Sequence, residues 1–239
     1  NVLPDAMIRL ADCYFMQKQY KSSAQYYDEV IKANSQGADY ALYQKSIIDG
    51  LGGNYNEKIA GMKALVARFP NSAFADDAIM QTGNTYMVQD KDDLAIEAFK
   101  SLFAKNPKSD QVPDAYLKLG LIYFNRDSYD ESLSWYQKVV QYYPSTPASN
   151  EAMLAIKEIY IAKGDPNGYI TYANKYPGSK VTVSEQDSLI YLSAEKQFFN
   201  GSMDNALQGF TNYLSQFPNG YFALQANFYK SECLFTKQD

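Results

Sequence analysis

Apolar side chains recur along this chain at the three-and-four spacing that places them on one face of a helix. The pattern is clearest over residues 114–125, where the apolar or small positions are Ala115, Leu119, Ile122 and Tyr123. A second amphipathic stretch begins near Tyr129, and Pro144 ends it because proline lacks an amide donor and restricts the residue before it. The pattern therefore predicts two helices joined by a short turn.

The same pair of helices recurs along the chain. If the small residue that opens each copy is taken as an anchor, successive anchors are 35 residues apart once and 37 residues apart five times. These anchors are Ala6, Ala41, Ala78, Ala115, Ala152, Leu189 and Ala226. A fixed period of this length is typical of stacked repeats, in which each repeat packs on its neighbours. The period therefore predicts an all-α array.

The predicted turns within the repeats carry residues that end helices. They are Gly52-Gly53-Asn54, Asp90-Lys91-Asp92, Arg126-Asp127-Ser128, Gly164-Asp165-Pro166 and Gly201-Ser202. Glycine just after a helix accepts the left-handed conformation that closes it. We expect these glycines to serve the turns, because the Lys-Ser/Thr of a nucleotide-binding loop does not follow them.

Composition narrows the class of partner. The net charge is -5 and the isoelectric point is near 4.9, which disfavours nucleic acid, because phosphate binding needs clustered Lys and Arg. With 46% hydrophobic residues and a mean hydropathy of -0.41, the chain can bury a core, and its apolar runs are too short to span a membrane. Basic or neutral partners remain open.

The sequence offers little for catalysis. It contains no histidine, which removes the commonest general base and the commonest metal ligand. The paired carboxylates Asp76-Asp77 and Asp92-Asp93 flank predicted helix starts, where helix capping explains them. Cys13 and Cys233 fall in the first and last copies, too far apart in a stacked array for a disulfide. We therefore expect a non-enzymatic protein without cofactor or metal.

The recurring positions resemble the tetratricopeptide repeat family, whose signature includes Leu-Gly, Tyr, a small residue, an aromatic residue and Pro. The fourth copy carries them as Leu119-Gly120, Tyr123, Ser132, Tyr136 and Pro144. The resemblance implies an all-α, right-handed superhelix of six helix pairs plus one unpaired C-terminal helix. Its repeats would lie near residues 4–38, 39–75, 76–112, 113–149, 150–186 and 187–223, with a half repeat over 224–239.

The loops between repeats are longer than is usual in this family. Repeats of the family commonly have about 34 residues. Here the extra residues fall in loops such as 69–75 and 217–223, which open with an aromatic residue, Pro and Asn. These loops resemble those of bacterial envelope proteins of the Tol-Pal-associated and outer-membrane assembly lipoprotein types. The resemblance implies a periplasmic or outer-membrane-associated location, with the cytoplasm as the alternative.

The fifth repeat departs from the pattern. Ala152 and Pro177 are 25 residues apart, where the regular copies have 29, and Pro177 lies 12 residues before Leu189, where the regular copies have 8. The spacing predicts a short second helix followed by a long loop. Two interpretations stay open. The irregularity is either sequence drift without a function, since loops tolerate insertion, or a kink at which a partner binds.

The family resemblance also suggests a binding surface. In that family the first helices of the repeats line a concave groove, which here implies the residues two, six and nine places after each anchor. The candidates are Tyr43, Met80, Asn84, Met87, Leu117, Leu121, Phe124, Leu154, Glu158, Tyr191, Glu195 and Phe198. An apolar groove with acidic spots suits a protein or peptide with apolar anchors and basic flanks. The alternative is that these side chains pack on one another.

The last predicted helix has no second helix to follow it. It carries Phe228 and Phe235, and the end of a repeat array needs a polar cap. We expect either that the chain is a segment of a longer one or that this helix pairs with another molecule. The sequence thus favours a protein-binding scaffold in a bacterial envelope assembly, with homo-oligomerisation through the uncapped ends as the rival function.

Overall fold

The computed structural model of the chain describes residues 2–176 and 178–236. Within these residues the chain forms thirteen α-helices and no β-strand. Each helix from α1 to α6 packs on the next, as does each helix from α8 to α13, which confirms the predicted all-α fold of helix pairs. In chain order the helices are α1 (Val2–Met16), α2 (Tyr20–Ala33), α3 (Ala38–Leu51), α4 (Tyr55–Arg68), α5 (Ala75–Val88), α6 (Asp92–Lys105), α7 (Val112–Asn125), α8 (Tyr129–Tyr142), α9 (Pro147–Ala162), α10 (Pro166–Ala173), α11 (Val183–Phe199), α12 (Met203–Gln216) and α13 (Ala223–Thr236).

The turn inside each repeat has the same backbone conformation. The residue twelve places after the anchor has a positive φ, between 55° and 77°, in all six turns: Lys18, Gly53, Asp90, Asp127, Gly164 and Gly201. The next amide donates to the carbonyl five residues earlier, as in Lys91 to Tyr86 at 2.9 Å. This bond closes the first helix. The three glycines confirm the prediction, and Asp is among the residues that tolerate this conformation.

The chain divides into two compact units, Asn1–Ile122 and Tyr123–Asp239. In unit 1 each helix from α1 to α6 packs on the next. The position predicted to hold an aromatic or bulky residue is filled by Tyr27, Met62 and Phe99, each at most 1% exposed. These side chains fill the space between the two helices of their repeat, so the recurring sequence position forms the core.

Small residues let the paired helices approach closely. A Cβ atom on Gly83 would lie 2.4 Å from the ring of Phe99, so the Gly position of the third repeat leaves room for the buried ring. In the sixth repeat a Cβ atom on Gly209 would lie 2.7 Å from that of Ala194. Since real Cβ contacts are longer, a larger residue at either glycine would push the helices apart.

Unit 2 contains the irregular fifth repeat. Helix α10 has 8 residues, whereas α8 and α12 have 14, which confirms the predicted short second helix. Helix α9 packs on both α10 and α11, and α11 packs on both α12 and α13. Pro166 begins α10, and the Asp165 side chain accepts a hydrogen bond from the Gly168 amide at 2.9 Å.

The loop after α10 leads to the N-terminus of α11, which is capped on both sides. Thr182 and Glu185 form a reciprocal capping box at the start of α11, and the backbone and hydroxyl hydrogen bonds from Thr182 hold the pKa of Glu185 below its usual value. Asn174 accepts a hydrogen bond from the Val181 amide at 3.1 Å. The proline predicted to end this repeat, Pro177, lies outside the described residues.

The acidic pairs at helix starts do not cap them, which corrects the sequence interpretation. The N-cap residues are Phe74 for α5 and Lys91 for α6, and neither makes a side-chain cap. Asp76 and Asp77 lie in the first turn of α5, as Asp92 and Asp93 do in α6, where the helix dipole favours an acid. Side chains of the following loop occupy the first pair: Asn106 donates to Asp76 at 2.8 Å, and Gln111 donates to Asp77 at 2.7 Å.

Equivalent bonds tie other loops to the preceding repeat. Ser72 donates to Asp39 at 2.6 Å, and the Tyr221 amide donates to Asp187 at 2.9 Å. Asp39, Asp76 and Asp187 each stand two residues before their anchor. These three loops are therefore each held by a carboxylate at the same position of the first helix in the repeat before them.

Candidate partner-binding surfaces

Three of the predicted groove residues are buried, which corrects their assignment to an open surface. Met80, Leu117 and Tyr191 are 6%, 6% and 3% exposed. Tyr191 stacks on Phe222, with ring centroids 4.3 Å apart. The half-buried Tyr43 stacks in the same way on Phe74, at 5.4 Å. Both covering rings stand four residues before the next anchor, so for this position the alternative interpretation of internal packing applies.

In unit 1 a row of exposed apolar side chains lies one helical turn after the predicted position six. Met16, Leu51 and Val88 are 80%, 58% and 63% exposed, and each stands ten residues after its anchor. Asn84 and Met87 are half-buried, and Leu121 is 37% exposed. The sequence could have indicated this row, because it lies four residues after the predicted position six and hence on the same helix face.

In unit 2 the corresponding face of the first helices combines glutamates with large apolar side chains. Glu158, Glu195 and Glu232 lie on α9, α11 and α13 and are 37 residues apart. Helix α11 contacts both α9 and α13, so the three carboxylates occur on neighbouring helices. Within residues 123–176 and 178–236 none of them forms a salt bridge. Tyr191 donates to Glu195 at 2.7 Å, and burial together with this bond raises the pKa of Tyr191.

Exposed apolar side chains surround these glutamates. Leu154, Phe199, Phe228 and Phe235 are 66%, 68%, 59% and 66% exposed. Of the other candidates, Phe124 and Phe198 are half-buried. Sequence reasoning included the residues at Phe228, Glu232 and Phe235 in the groove pattern but omitted Phe199, which stands at the same repeat position as Met16.

An aromatic cluster fixes α13 in place. The Tyr229 ring lies 4.9 Å from Phe198 and 5.7 Å from Phe210. Ala226 and Cys233 are fully buried on the same side of α13. The opposite side, with Phe228 and Phe235, therefore remains at the surface of a well-packed helix.

The described residues contain neither a candidate cluster of metal ligands nor a candidate membrane-spanning helix. Over residues 2–176 and 178–236 no three His, Cys, Asp or Glu side chains come together as possible metal ligands. None of the thirteen helices has the length and apolar character needed to cross a membrane. Cys13 and Cys233 are free thiols, the first exposed and the second buried.

Comparisons with known proteins agree with this architecture. Tetratricopeptide repeat family models match residues 5–36 and residues 80–149. No curated protein sequence matches the chain significantly. Among solved structures, the MamA protein superposes with a TM-score of 0.57 at 20% identity, covering 83% of this chain and 94% of that chain. PilW, a widely conserved type IV pilus biogenesis factor, gives 0.53 at 13% identity, with coverages of 94% and 98%.

A third similar structure is Naa15/Naa10 bound to HypK-THB, with a TM-score of 0.60 at 17% identity. The match covers 98% of this chain but 34% of that one. At these identities the likeness concerns the fold. Tetratricopeptide repeats typically serve as non-enzymatic scaffolds for protein–protein interaction. The matched repeats, the 37-residue period and the helix-pair packing lead to one conclusion: the chain has the tetratricopeptide repeat fold.

Proposed function

We propose that this protein is a non-enzymatic scaffold whose unit 2 binds a protein segment with apolar anchors and basic flanks. The observation that carries the proposal is the row of Glu158, Glu195 and Glu232, which form no salt bridge in the described part of the chain and lie among exposed Leu and Phe side chains. We call these three glutamates, with Leu154, Phe199, Phe228 and Phe235, the acidic-apolar surface.

The two kinds of side chain would have different tasks. Burying a large apolar side chain contributes about 1.5–3 kcal/mol, so the Leu and Phe residues would supply most of the affinity. An exposed Glu–Lys pair contributes about 0.2–1 kcal/mol. Charge complementarity acts more on the choice of partner and on the association rate. The glutamates would therefore select basic segments over acidic ones.

A charge reversal tests this proposal. The probe is a synthetic amphipathic helical peptide with leucines at helical spacing and lysines between them, compared with a version in which every lysine is glutamate. The wild-type protein should prefer the lysine peptide, and the triple variant Glu158→Lys/Glu195→Lys/Glu232→Lys should prefer the glutamate peptide. Fluorescence anisotropy at low and high salt measures both affinities.

The matched control reverses the same number of charges elsewhere. Glu29, Glu57 and Glu97 are exposed on second helices of unit 1. The variant Glu29→Lys/Glu57→Lys/Glu97→Lys changes the net charge equally and should keep the wild-type preference. If both triple variants reverse the preference alike, net charge decides binding and the acidic-apolar surface is not the site.

Self-association through α13 is the second candidate function. It is favoured by the exposed stripe of Leu224, Phe228 and Phe235 on that helix, which are 81%, 59% and 66% exposed. Light scattering over a wide concentration range would detect a dimer, and Leu224→Asp should abolish it. A monomer at all concentrations would exclude this function and leave the stripe to a different partner.

We also propose a bacterial envelope location, which rests on the long loops between repeats. Cell fractionation of the full-length native protein tests it. Recovery with periplasmic or outer-membrane markers is the expected outcome, and recovery with cytoplasmic markers would contradict it.

A further inference from the structure

A polar cavity lies in unit 2, away from the acidic-apolar surface. It has a volume of about 250 Å³ and lies between α11, α12 and the turn from α9 to α10. Six carboxamide side chains line it: Asn167, Gln197, Asn205, Gln208, Asn212 and Gln216. We call this set the amide cavity.

Most of these carboxamides are unused by the fold. Gln197 donates to the Ala162 carbonyl at 3.0 Å. The other five form no hydrogen bond within the described part of the chain. Each carboxamide offers two N–H donors and a carbonyl acceptor, so the cavity presents donors and acceptors together. A ligand that displaces water from the cavity must therefore supply both acceptors and donors, so that the N–H and C=O groups of the carboxamides remain hydrogen-bonded.

The charged residues at the cavity are already engaged. Lys163 pairs with Asp130, and Asp165 accepts the Gly168 amide at the start of α10. The cavity's side chains that make no hydrogen bond or ion pair in the described part of the chain therefore include the five carboxamides, which are neutral.

The cavity is a consequence of the fold, but its carboxamides are not. A cavity of about 260 Å³ occurs at the corresponding place in unit 1, between α4, α5 and α6. Its lining includes Val66, Ile79 and Lys105. Lys105 occupies the repeat position that Gln216 occupies in unit 2, twenty-seven residues after the anchor. The repeat architecture thus forms a cavity at this place in both units, and the residues of unit 2 line it with carboxamides.

The spacing of the carboxamides on α12 matches an extended peptide. Gln208, Asn212 and Gln216 follow one another by four residues, which is about 6 Å along a helix axis. The N–H and C=O groups on one edge of an extended chain recur every second residue, about 6.6–6.8 Å. A carboxamide can accept from an N–H and donate to a C=O of the same peptide group. No aromatic ring is among the cavity's described lining residues, so a sugar ring would find no flat apolar surface to stack on.

We propose that the amide cavity binds a neutral, extended peptide segment of a partner protein through its main chain. Recognition of this kind depends on the backbone and tolerates different side chains. The proposal is independent of the acidic-apolar surface, which involves other residues and a helical basic partner.

Nuclear magnetic resonance tests the proposal with a neutral hexapeptide of Thr, Val and Ser. The side-chain NH2 resonances of Asn205, Gln208 and Asn212, assigned by single substitution, should shift as the peptide is added. The double variant Gln208→Ala/Asn212→Ala should bind about tenfold more weakly, as expected for the loss of two or more hydrogen bonds. A peptide methylated on all its backbone nitrogens should not bind.

Gln25→Ala is the matched control. Gln25 is exposed on α2 and stands nineteen residues after its anchor, as Gln208 does, so its removal should leave peptide binding unchanged. The proposal is overturned if millimolar peptide causes no shift, or if the methylated peptide or the double variant binds as well as the originals. It is also overturned if maltohexaose shifts these resonances and the peptide does not, which would indicate an oligosaccharide site.

Discussion

Units 1 and 2 are built from the same helix pair but present different surfaces. In both, the aromatic position is fully buried, as Phe99 and Phe210 are, and the turn glycines Gly53 and Gly201 share a φ of 77°. On the first helices, however, unit 1 exposes aliphatic side chains, whereas unit 2 exposes glutamates among Leu and Phe. The recurring spacing of the buried positions therefore determines packing and leaves the exposed positions free to acquire different partners.

The largest expected effect tests whether the two cores are equivalent. Phe99→Ala and Phe210→Ala each remove a fully buried ring at the same repeat position. Each should lower the free energy of unfolding by about 3–5 kcal/mol. Urea denaturation followed by circular dichroism measures the change. Phe199→Ala removes a ring that is 68% exposed and should cost less than about 1 kcal/mol. If either Phe99→Ala or Phe210→Ala lowers the free energy of unfolding by much less than this, the two cores are not equivalent.

A smaller effect concerns the shared turn. Gly53→Ala in unit 1 and Gly201→Ala in unit 2 each place a Cβ where no atom lies within 4 Å, so only backbone strain opposes them. Both should cost about 1–2 kcal/mol. Asp90→Gly removes the left-handed strain at the equivalent position of the third repeat and should be neutral or slightly stabilising. Thermal unfolding measures all three, and unequal losses at the two glycines would show that the turns differ.

Alkaline pH should destabilise unit 2 through buried tyrosines. Burial, with the nearby charge of Glu151, raises the pKa of Tyr136 to about 12. Burial and the hydrogen bond to Asp187 raise the pKa of Tyr213 to about 12. Between pH 10 and pH 12 the unfolded state has released protons that the folded state retains, so stability falls as the pH rises through this window. Tyr136→Phe and Tyr213→Phe should each flatten that fall, as measured by urea denaturation at successive pH values. If stability falls with pH as steeply in both variants as in the wild type, Tyr136 and Tyr213 do not cause the loss of stability.

The smallest effect contrasts two carboxyl groups. Burial, with the charge of Asp76, raises the pKa of Asp77 in unit 1, whereas the hydrogen bonds from Thr182 lower the pKa of Glu185 in unit 2. At neutral pH burial and the charge of Asp76 therefore outweigh the favourable helix dipole at Asp77, so that its charge opposes folding, whereas the Glu185 charge favours folding. Asp77→Asn should stabilise slightly and Glu185→Gln should destabilise slightly, each by less than about 1 kcal/mol. The stability contribution of Glu185 should disappear as the pH falls through its folded pKa, and shifts of the same sign in the two variants would contradict this account.

The sequence predicted the helices well because their determinants are local. Apolar spacing recurs in every repeat and turn glycines and closing prolines recur in several of them, and even the short α10 follows from the shortened spacing between Ala152 and Pro177. Exposure was harder to predict because it depends on the next repeat. Tyr191 is buried since Phe222 stacks on it, whereas Phe228 at the same repeat position is 59% exposed.

The hydrogen bonds of the acidic pairs and the amide cavity could not be predicted from the sequence, for the same reason. Asp76 stands 30 residues before its partner Asn106, and no local pattern connects the two. The carboxamides of α12 look like an ordinary polar helix face in the sequence. Only the placement of α11 and of the α9–α10 turn makes them the wall of a cavity.

Hydrogen–deuterium exchange of the whole protein with the lysine peptide tests the contrast between the units most directly. The peptide should slow exchange in α9, α11 and α13 of unit 2, and leave α1, α3 and α5 of unit 1 unchanged. The triple variant Glu158→Lys/Glu195→Lys/Glu232→Lys should lose this protection. Protection of α1, α3 and α5 alone, or equal protection in both units, would contradict the account.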